Sequence, residues 1–283
     1  MVKNRKEIAG KGIPASRVAA LIAQALDAKD PERWEIVCEL HRAGSRSVLD
    51  HAVGLCGGRT TNERCLGADL LGQLGVPKRV FADECVSTLL AMLRTEKSPS
   101  VLNSVAVALG HQGDGRAVLP LARLKTHKSK RVRQGVAFGL LGHEHPAAIR
   151  SLLFLMDDQD AGVRNWATFG IARQVDADSK HIRAHLWRRL CDRNAEVRGE
   201  ALMGLAIRRD PRVASCICRE LNQKTVSPYT LNAAAELGDP CLFESLKRSD
   251  ARGNVTTGIW MELKVALRAC QPQRESVRGA GSE

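Results

Sequence analysis

Aromatic residues are scarce in this chain: one Tyr, five Phe and four Trp among 283 residues. Sheets draw their cores from aromatic and β-branched side chains, so the shortage turns the reading toward helices, with alanine and leucine supplying the apolar surface. No run of about 18 uncharged apolar residues exists, which excludes a membrane-spanning helix. The opening "MVKNRKEIAGKG" is basic but is followed by no apolar stretch or cleavage site, so no secretory signal is read there. The nine cysteines show no CxxC and no paired zinc spacing. Their odd number argues against a disulfide framework, and buried free thiols in a reducing cytoplasm are expected. A Gly-rich phosphate loop, a nucleophile elbow and a Ser–His–Asp arrangement are missing as well.

What the chain does have is a repeat. Val101, Val132, Val163, Val197 and Leu231 open similar Ala- and Gly-rich segments at intervals of 31, 31, 34 and 34 residues, among them "VRQGVAFGLLGHEH", "VRNWATFGIARQVD" and "VRGEALMGLAIRRD". "NERCLGADLLGQLG" and "ERWEIVCELHRAGS" are earlier, diverged copies. Apolar residues recur at helical spacing in each, for instance Val136, Leu140 and Leu141. Turn signals such as Gly113-Asp114-Gly115, His145-Pro146, Asp210-Pro211 and Asp239-Pro240 follow, then a second amphipathic run. A helix pair of this size cannot cover its own apolar face, so successive pairs must stack. The expected fold is an all-α solenoid of about six to seven helix pairs.

Within the unit, Ala137, Gly139, Ala167, Gly170, Ala201 and Gly204 are expected to let neighbouring first helices approach closely. The valines are expected to seal the start of each first helix. Arg164 and Arg198 are expected to reach back to acids in the turn before them, Asp157, Asp158 or Asp160 and Asp192 respectively. Arg133 has no acid in its preceding turn.

The D-x-x-VR-x-x-A segments ending near "LG", with their Asp-Pro turns, resemble HEAT repeats of the short bacterial kind named after phycobilisome lyases. Residues 157–242 further resemble, nearly in register, the YibA-type family of bacterial HEAT-repeat proteins. That resemblance implies a non-catalytic binding protein, encoded beside Rhs toxin elements and implicated in immunity or scaffolding.

For chemistry the chain offers little. The di-iron enzymes resembling deoxyhypusine hydroxylase need repeated His-Glu pairs, and only His143-Glu144 fits; His143 is read instead as a partly cationic helix-end residue. His181 and His185 lie i, i+4 on one helix face, without the glutamate of a zinc-protease helix, and read as a solvated basic face. No catalytic, metal or cofactor residues are assigned.

Charge is concentrated. The net charge is +12, and residues 116–156 carry eight lysines and arginines against one acid, Glu144, a net +7. The cations of "RLKTHKSKRVR", with Arg123, Lys125, Lys128, Lys130 and Arg131 among them, are expected to gather on one rim of the solenoid, and Arg116 belongs to the same basic segment. Lys180, Arg183, Trp187 and Arg188 form a second group on a second helix, the helix that in HEAT solenoids lines the concave wall. These ten residues are the candidate partner-binding set. The expected partner is a protein, a toxin domain by the family resemblance, held through the concave face and basic rim of a cytoplasmic monomer. A nucleic-acid backbone is the alternative, on the precedent of HEAT-like alkylpurine glycosylases, although base contact calls for aromatic or wedge residues beside the cations. Trp166 reads as core. Residues 1–14 are expected to be a flexible basic arm, 15–270 one solenoid opened by a helix with Ser16 as N-cap and closed by Val255–Cys270, and 271–283 a disordered tail.

Overall fold

The computed structural model describes residues 13–272, so all but two residues of the expected arm and of the expected tail lie outside the described residues. Sixteen α-helices and no strand occur among them. In chain order they are α1 (Ala15–Asp27), α2 (Glu32–Ala43), α3 (Arg46–Cys56), α4 (Thr61–Gly72), α5 (Ala82–Thr95), α6 (Pro99–Gln112), α7 (Val118–Ala122), α8 (Lys130–Gly139), α9 (Pro146–Leu155), α10 (Ala161–Arg173), α11 (Lys180–Arg189), α12 (Ala195–Ile207), α13 (Val213–Leu221), α14 (Pro228–Leu237), α15 (Phe243–Ala251) and α16 (Trp260–Ala269). From α2 to α15 they form seven successive pairs, even-numbered helices first. Two compact units result, one ending at Gly170 and the other beginning at Ile171, inside α10.

Local chemistry sets both ends of each pair. First helices open on polar caps: Thr60 forms a capping box with Glu63, Asp160 Oδ1 accepts from the backbone of Gly162 and Val163, and Asn194 accepts from Val197. Before the second helices, Asp114, His145, Asp210 and Asp239 each accept a backbone N–H two residues on at 2.8–3.2 Å; His145 is the N-cap of α9, and the others close the turns ahead of α7, α13 and α15. Such caps contribute about 1 kcal/mol each. In the opening helix α1, Ser16 proves to lie inside the helix: Pro14 precedes Ala15 and no side chain caps the end. At the other end, α16 starts at Trp260, after a 3-10 turn over Thr257–Ile259.

In the first unit α4 packs on α6 and α6 on α8; in the second α12 packs on α14 and α14 on α16. Small residues bring these backbones together. A Cβ added to Gly139 would stand 2.6 Å from the Ala106 carbonyl oxygen, and one on Gly204 would stand 2.8 Å from the Ala172 Cβ. Glycine costs about 1 kcal/mol against alanine inside a helix; here the close packing offsets it. Val101, Val132, Val163 and Val197 are fully buried three residues after their caps. In α14 that place belongs to Thr230, three residues after Ser227, so the repeat runs one residue out of the register read from Leu231. In the second unit the buried Arg208 donates to the carbonyls of Ile171, Ala172, Val175, Ala177 and Gly204, satisfying the end of α10.

Candidate binding faces

The repeated arginine, four residues after each cap, has a fixed geometry. Arg64, Arg133, Arg164 and Arg198 each donate through Nη1 to the carbonyls six and five residues back: Gly58 and Arg59, His127 and Lys128, Asp158 and Gln159, Asp192 and Arg193. For Arg198 the expected reach back to Asp192 is therefore a reach to its backbone oxygen. The acid lies ahead. Arg64 pairs through Nε and Nη2 with Glu96 at 2.7 and 3.4 Å, and Arg133 with Asp158 at 2.6 and 2.9 Å. Both acids sit two residues before the next first helix's cap, where they also accept backbone N–H groups, Glu96 from Lys97 and Ser98 and Asp158 from Asp160. Arg133, which had no acid behind it, takes one from the following repeat.

The candidate basic residues stand at several places in the first unit. Arg131 donates to Ser100 at the start of α6, whereas Arg116 follows the turn at the far end of that helix, paired with Asp114 and Asp83. Arg123 is exposed where α7 ends. The Lys125 ammonium lies 5.4 Å from the centre of the exposed Phe154 ring. Lys125 and Lys128 share a hollow with Arg133, Asp157 and Asp158, and Lys130 pairs with Asp160 at 3.0 Å. Acids thus interleave with these cations. In the second unit Lys180 and Arg188 are exposed. Arg183 bonds Asp178, Asp210 and the Arg208 carbonyl, and Trp187 donates to Asp210 at 3.2 Å. Asp210 also takes the Arg212 fork at 2.7 and 2.9 Å, and that guanidinium, with the Trp187 and backbone donors, holds the carboxyl well below the usual carboxylate range.

The most connected exposed feature of the first unit lies elsewhere, on the outer face of α6, α8 and α10. His111, Phe138, Trp166 and Phe169 stand edge to face in an unbroken run, with ring centres 5.1, 5.1 and 5.9 Å apart. Phe138, Trp166 and Phe169 are all half-buried, so Trp166 is no core residue. Beside them a groove is lined by Asn103, Val107, Arg131, Gln134, Phe138 and Trp166. Of the ten candidates, Arg131 alone lines it. The sequence signal was the ninth position after each cap, which carries Val107, Phe138 and Phe169 in consecutive repeats.

A deeper pocket of about 310 Å³ belongs to the second unit, between α11, α12, α13 and the start of α14. Trp187, Leu190, Leu202 and Tyr229 supply its apolar and aromatic walls, and Arg198, Arg219 and Glu220 its charge. The Tyr229 ring rests against Gly199, where a Cβ would stand 2.4 Å from the ring. Arg173 binds Glu200 at 2.7 Å behind it.

Among the described residues no group of three or more His, Cys, Asp or Glu is placed to hold a metal ion. His181 and His185 have ring centres 4.4 Å apart, with His185 Nδ1 2.9 Å from the His181 carbonyl. His143 follows α8 after a turn and is half-buried; burial lowers its pKa, which favours the neutral ring over the expected cation. The cysteines are free, but only Cys56, Cys85 and Cys270 are buried; Cys191 and Cys241 are exposed. No helix of the described residues is long and apolar enough to cross a membrane.

These tandem helix pairs define the class. Residues 86–172 match the family model of HEAT repeats, and the described residues are all-α, built of successive helix pairs of this kind. Over 117 residues it is 40% identical to protein YibA of Escherichia coli K12, and equally to that of Escherichia coli O157:H7. That stretch is 40% of this chain and spans 41% of the length of those relatives. The X-ray structure of Escherichia coli YibA aligns with 92% of this chain and 100% of its own, with a TM-score of 0.66 at 27% identity. The complex of CpcE and CpcF of phycocyanin lyase from Nostoc sp. PCC7120 aligns with 95% of this chain and 99% of its own, with a TM-score of 0.46 at 17% identity.

Proposed function

We propose that the chain is a non-catalytic binding protein, immunity-like or a scaffold, that engages a protein partner through the outer face of α6, α8 and α10. The observation that carries this reading is the half-exposed run His111, Phe138, Trp166, Phe169 beside Arg131. Tryptophan, arginine and clustered aromatic rings are the side chains that dominate protein interfaces. Arg131 gives that face a cation, which suits a partner with an apolar centre and an acidic border. Lys130 and Arg116 already hold acids of their own chain, which disfavours a continuous phosphate track and hence the nucleic-acid alternative. The resemblance to YibA makes a toxin domain the partner of choice.

The test is capture from the native cell with the full chain and with Trp166→Ala and Arg131→Glu. A protein retained by the wild type and lost from both variants, at unchanged melting temperature, supports the reading. Equal capture by all three removes this face, and retardation of duplex DNA at about 50 mM salt, steeply weakened by more salt, restores the nucleic-acid alternative.

A further inference from the structure

We propose that the pocket of the second unit binds an organic carboxylate carried on a compact apolar body, with Arg198 as its anchor. The inference starts from the arginine ladder and does not depend on the aromatic face of the first unit. Where the repeated arginine is present, as at Arg64 and Arg133, the next turn supplies an acid two residues before its cap, Glu96 and Asp158. Where the arginine is replaced by Leu102, that position is His127, whose Nδ1 accepts from the Ser129 backbone. Arginine and acid come and go together. Arg198 breaks the rule.

Arg198 makes the same two Nη1 bonds as the others, to the carbonyls of Asp192 and Arg193 at 2.8 and 3.1 Å. In Arg64 and Arg133, held the same way, the Nε and Nη2 edge meets the acid of the next turn, which for Arg198 is the turn before α14. That turn reads Asn222-Gln223-Lys224-Thr225-Val226-Ser227, and the position of Glu96 and Asp158 is the exposed Thr225. No carboxylate of the turn meets the fork, and the pocket opens there instead, with Arg198 and Ser227 in its wall. Arg219 adds a second cation to the wall, against one acid, Glu220. The rest of the wall selects the body of the ligand. Trp187, Leu190, Leu202 and the Tyr229 ring lying on Gly199 form the apolar part of the wall of a pocket of about 310 Å³. That volume lies at the small end of ligand pockets and suits one ring or one branched side chain. A carboxylate entering with its apolar body on Trp187 and Tyr229 meets the planar fork in the bidentate geometry that Glu96 and Asp158 use.

The full-length chain, labelled with 15N, is titrated with 3-phenylpropanoate and with 3-phenylpropanamide, reading the Trp187 indole N–H signal, assigned by its loss in Trp187→Phe. The acid is expected to shift that signal saturably, and the amide to bind at least about tenfold more weakly, since the charge-assisted bonds are lost. Arg198→Gln abolishes the difference between the two. Thr225→Asp rebuilds the rung within the chain, leaves the loop contacts of Arg198 intact, and blocks the acid. A second arm uses acetyl-Leu-Glu-Phe-amide against its Gln counterpart: tighter binding of this peptide than of 3-phenylpropanoate assigns the site to a partner polypeptide, and the reverse to a free acid. An unmoved Trp187 signal, equal binding of acid and amide, or undiminished binding in Thr225→Asp overturns the proposal.

Discussion

Replacing Arg133 by methionine keeps the aliphatic stem and removes the fork. Arg133 is 16% exposed and its partner Asp158 only 6%, so the pair is largely shielded from water. The variant loses two charge-assisted bonds to Asp158, at 2.6 and 2.9 Å, and the bonds to the carbonyls of His127 and Lys128. Water at the exposed loop replaces the latter pair. The former leaves a nearly buried carboxylate with its backbone contact to Asp160 alone. Removing one partner of a buried pair costs about 3–5 kcal/mol, and the remaining Asp160 contact places this case near the lower figure, about 3 kcal/mol. That corresponds to a fall of roughly 6–12 °C in the melting temperature of a unit of this size. Asp158→Asn keeps an acceptor and is expected to cost about 1.5–2 kcal/mol. The assay is a double-mutant cycle read by thermal or urea unfolding, with an expected coupling of about 2 kcal/mol. Coupling below about 0.5 kcal/mol would refute the claim that successive repeats are tied by a forward arginine–carboxylate bond. The control is Lys130→Ala: Lys130 is 73% exposed, so loss of its pair with Asp160 should change stability by less than about 1 kcal/mol.

Gly139→Ala is expected to cost more than about 2 kcal/mol, because its Cβ would strike the Ala106 backbone, whereas Gly54→Ala, with open space around the Cβ, should gain about 0.5–1 kcal/mol; paired melting curves check both. Asp210, its carboxyl held below the ordinary range by the Arg212 fork, stabilises the fold fully above the unfolded value near pH 4 and loses that contribution as the pH falls toward the lower folded value. In acid titrations of unfolding the wild type should therefore lose stability more steeply below about pH 4 than Asp210→Asn does; identical slopes would contradict the pairing.

The parts of the fold legible in the sequence were those written within one repeat. The valines at 31- to 34-residue intervals, the glycines of the first helices and the Asp-Pro turns all act on neighbours a few residues away or on the adjacent helix at fixed spacing. The acid partners of Arg64 and Arg133 were not read because candidate acids lie on both sides of each helix. Asp158 is 25 residues beyond Arg133, and Glu96 is 32 beyond Arg64, distances that no helical period links. Nor did composition separate Trp166 from the core, since an outward aromatic position shows only when the repeats are aligned on their caps. Net charge misled in another way: it counted Arg116, Lys130 and Arg183 as available cations, while the fold gives each of them an acid.

The most direct test of the ladder and of the pocket it opens is the melting temperature of Thr225→Asp measured with and without Arg198→Gln. A new acid facing the Arg198 fork should raise the melting temperature by roughly 2–4 °C, about 1 kcal/mol for a partly exposed charge-assisted pair, and the gain should vanish in the double variant. A Thr225→Asp chain that melts no higher than the wild type, or gains as much without Arg198, would contradict the account.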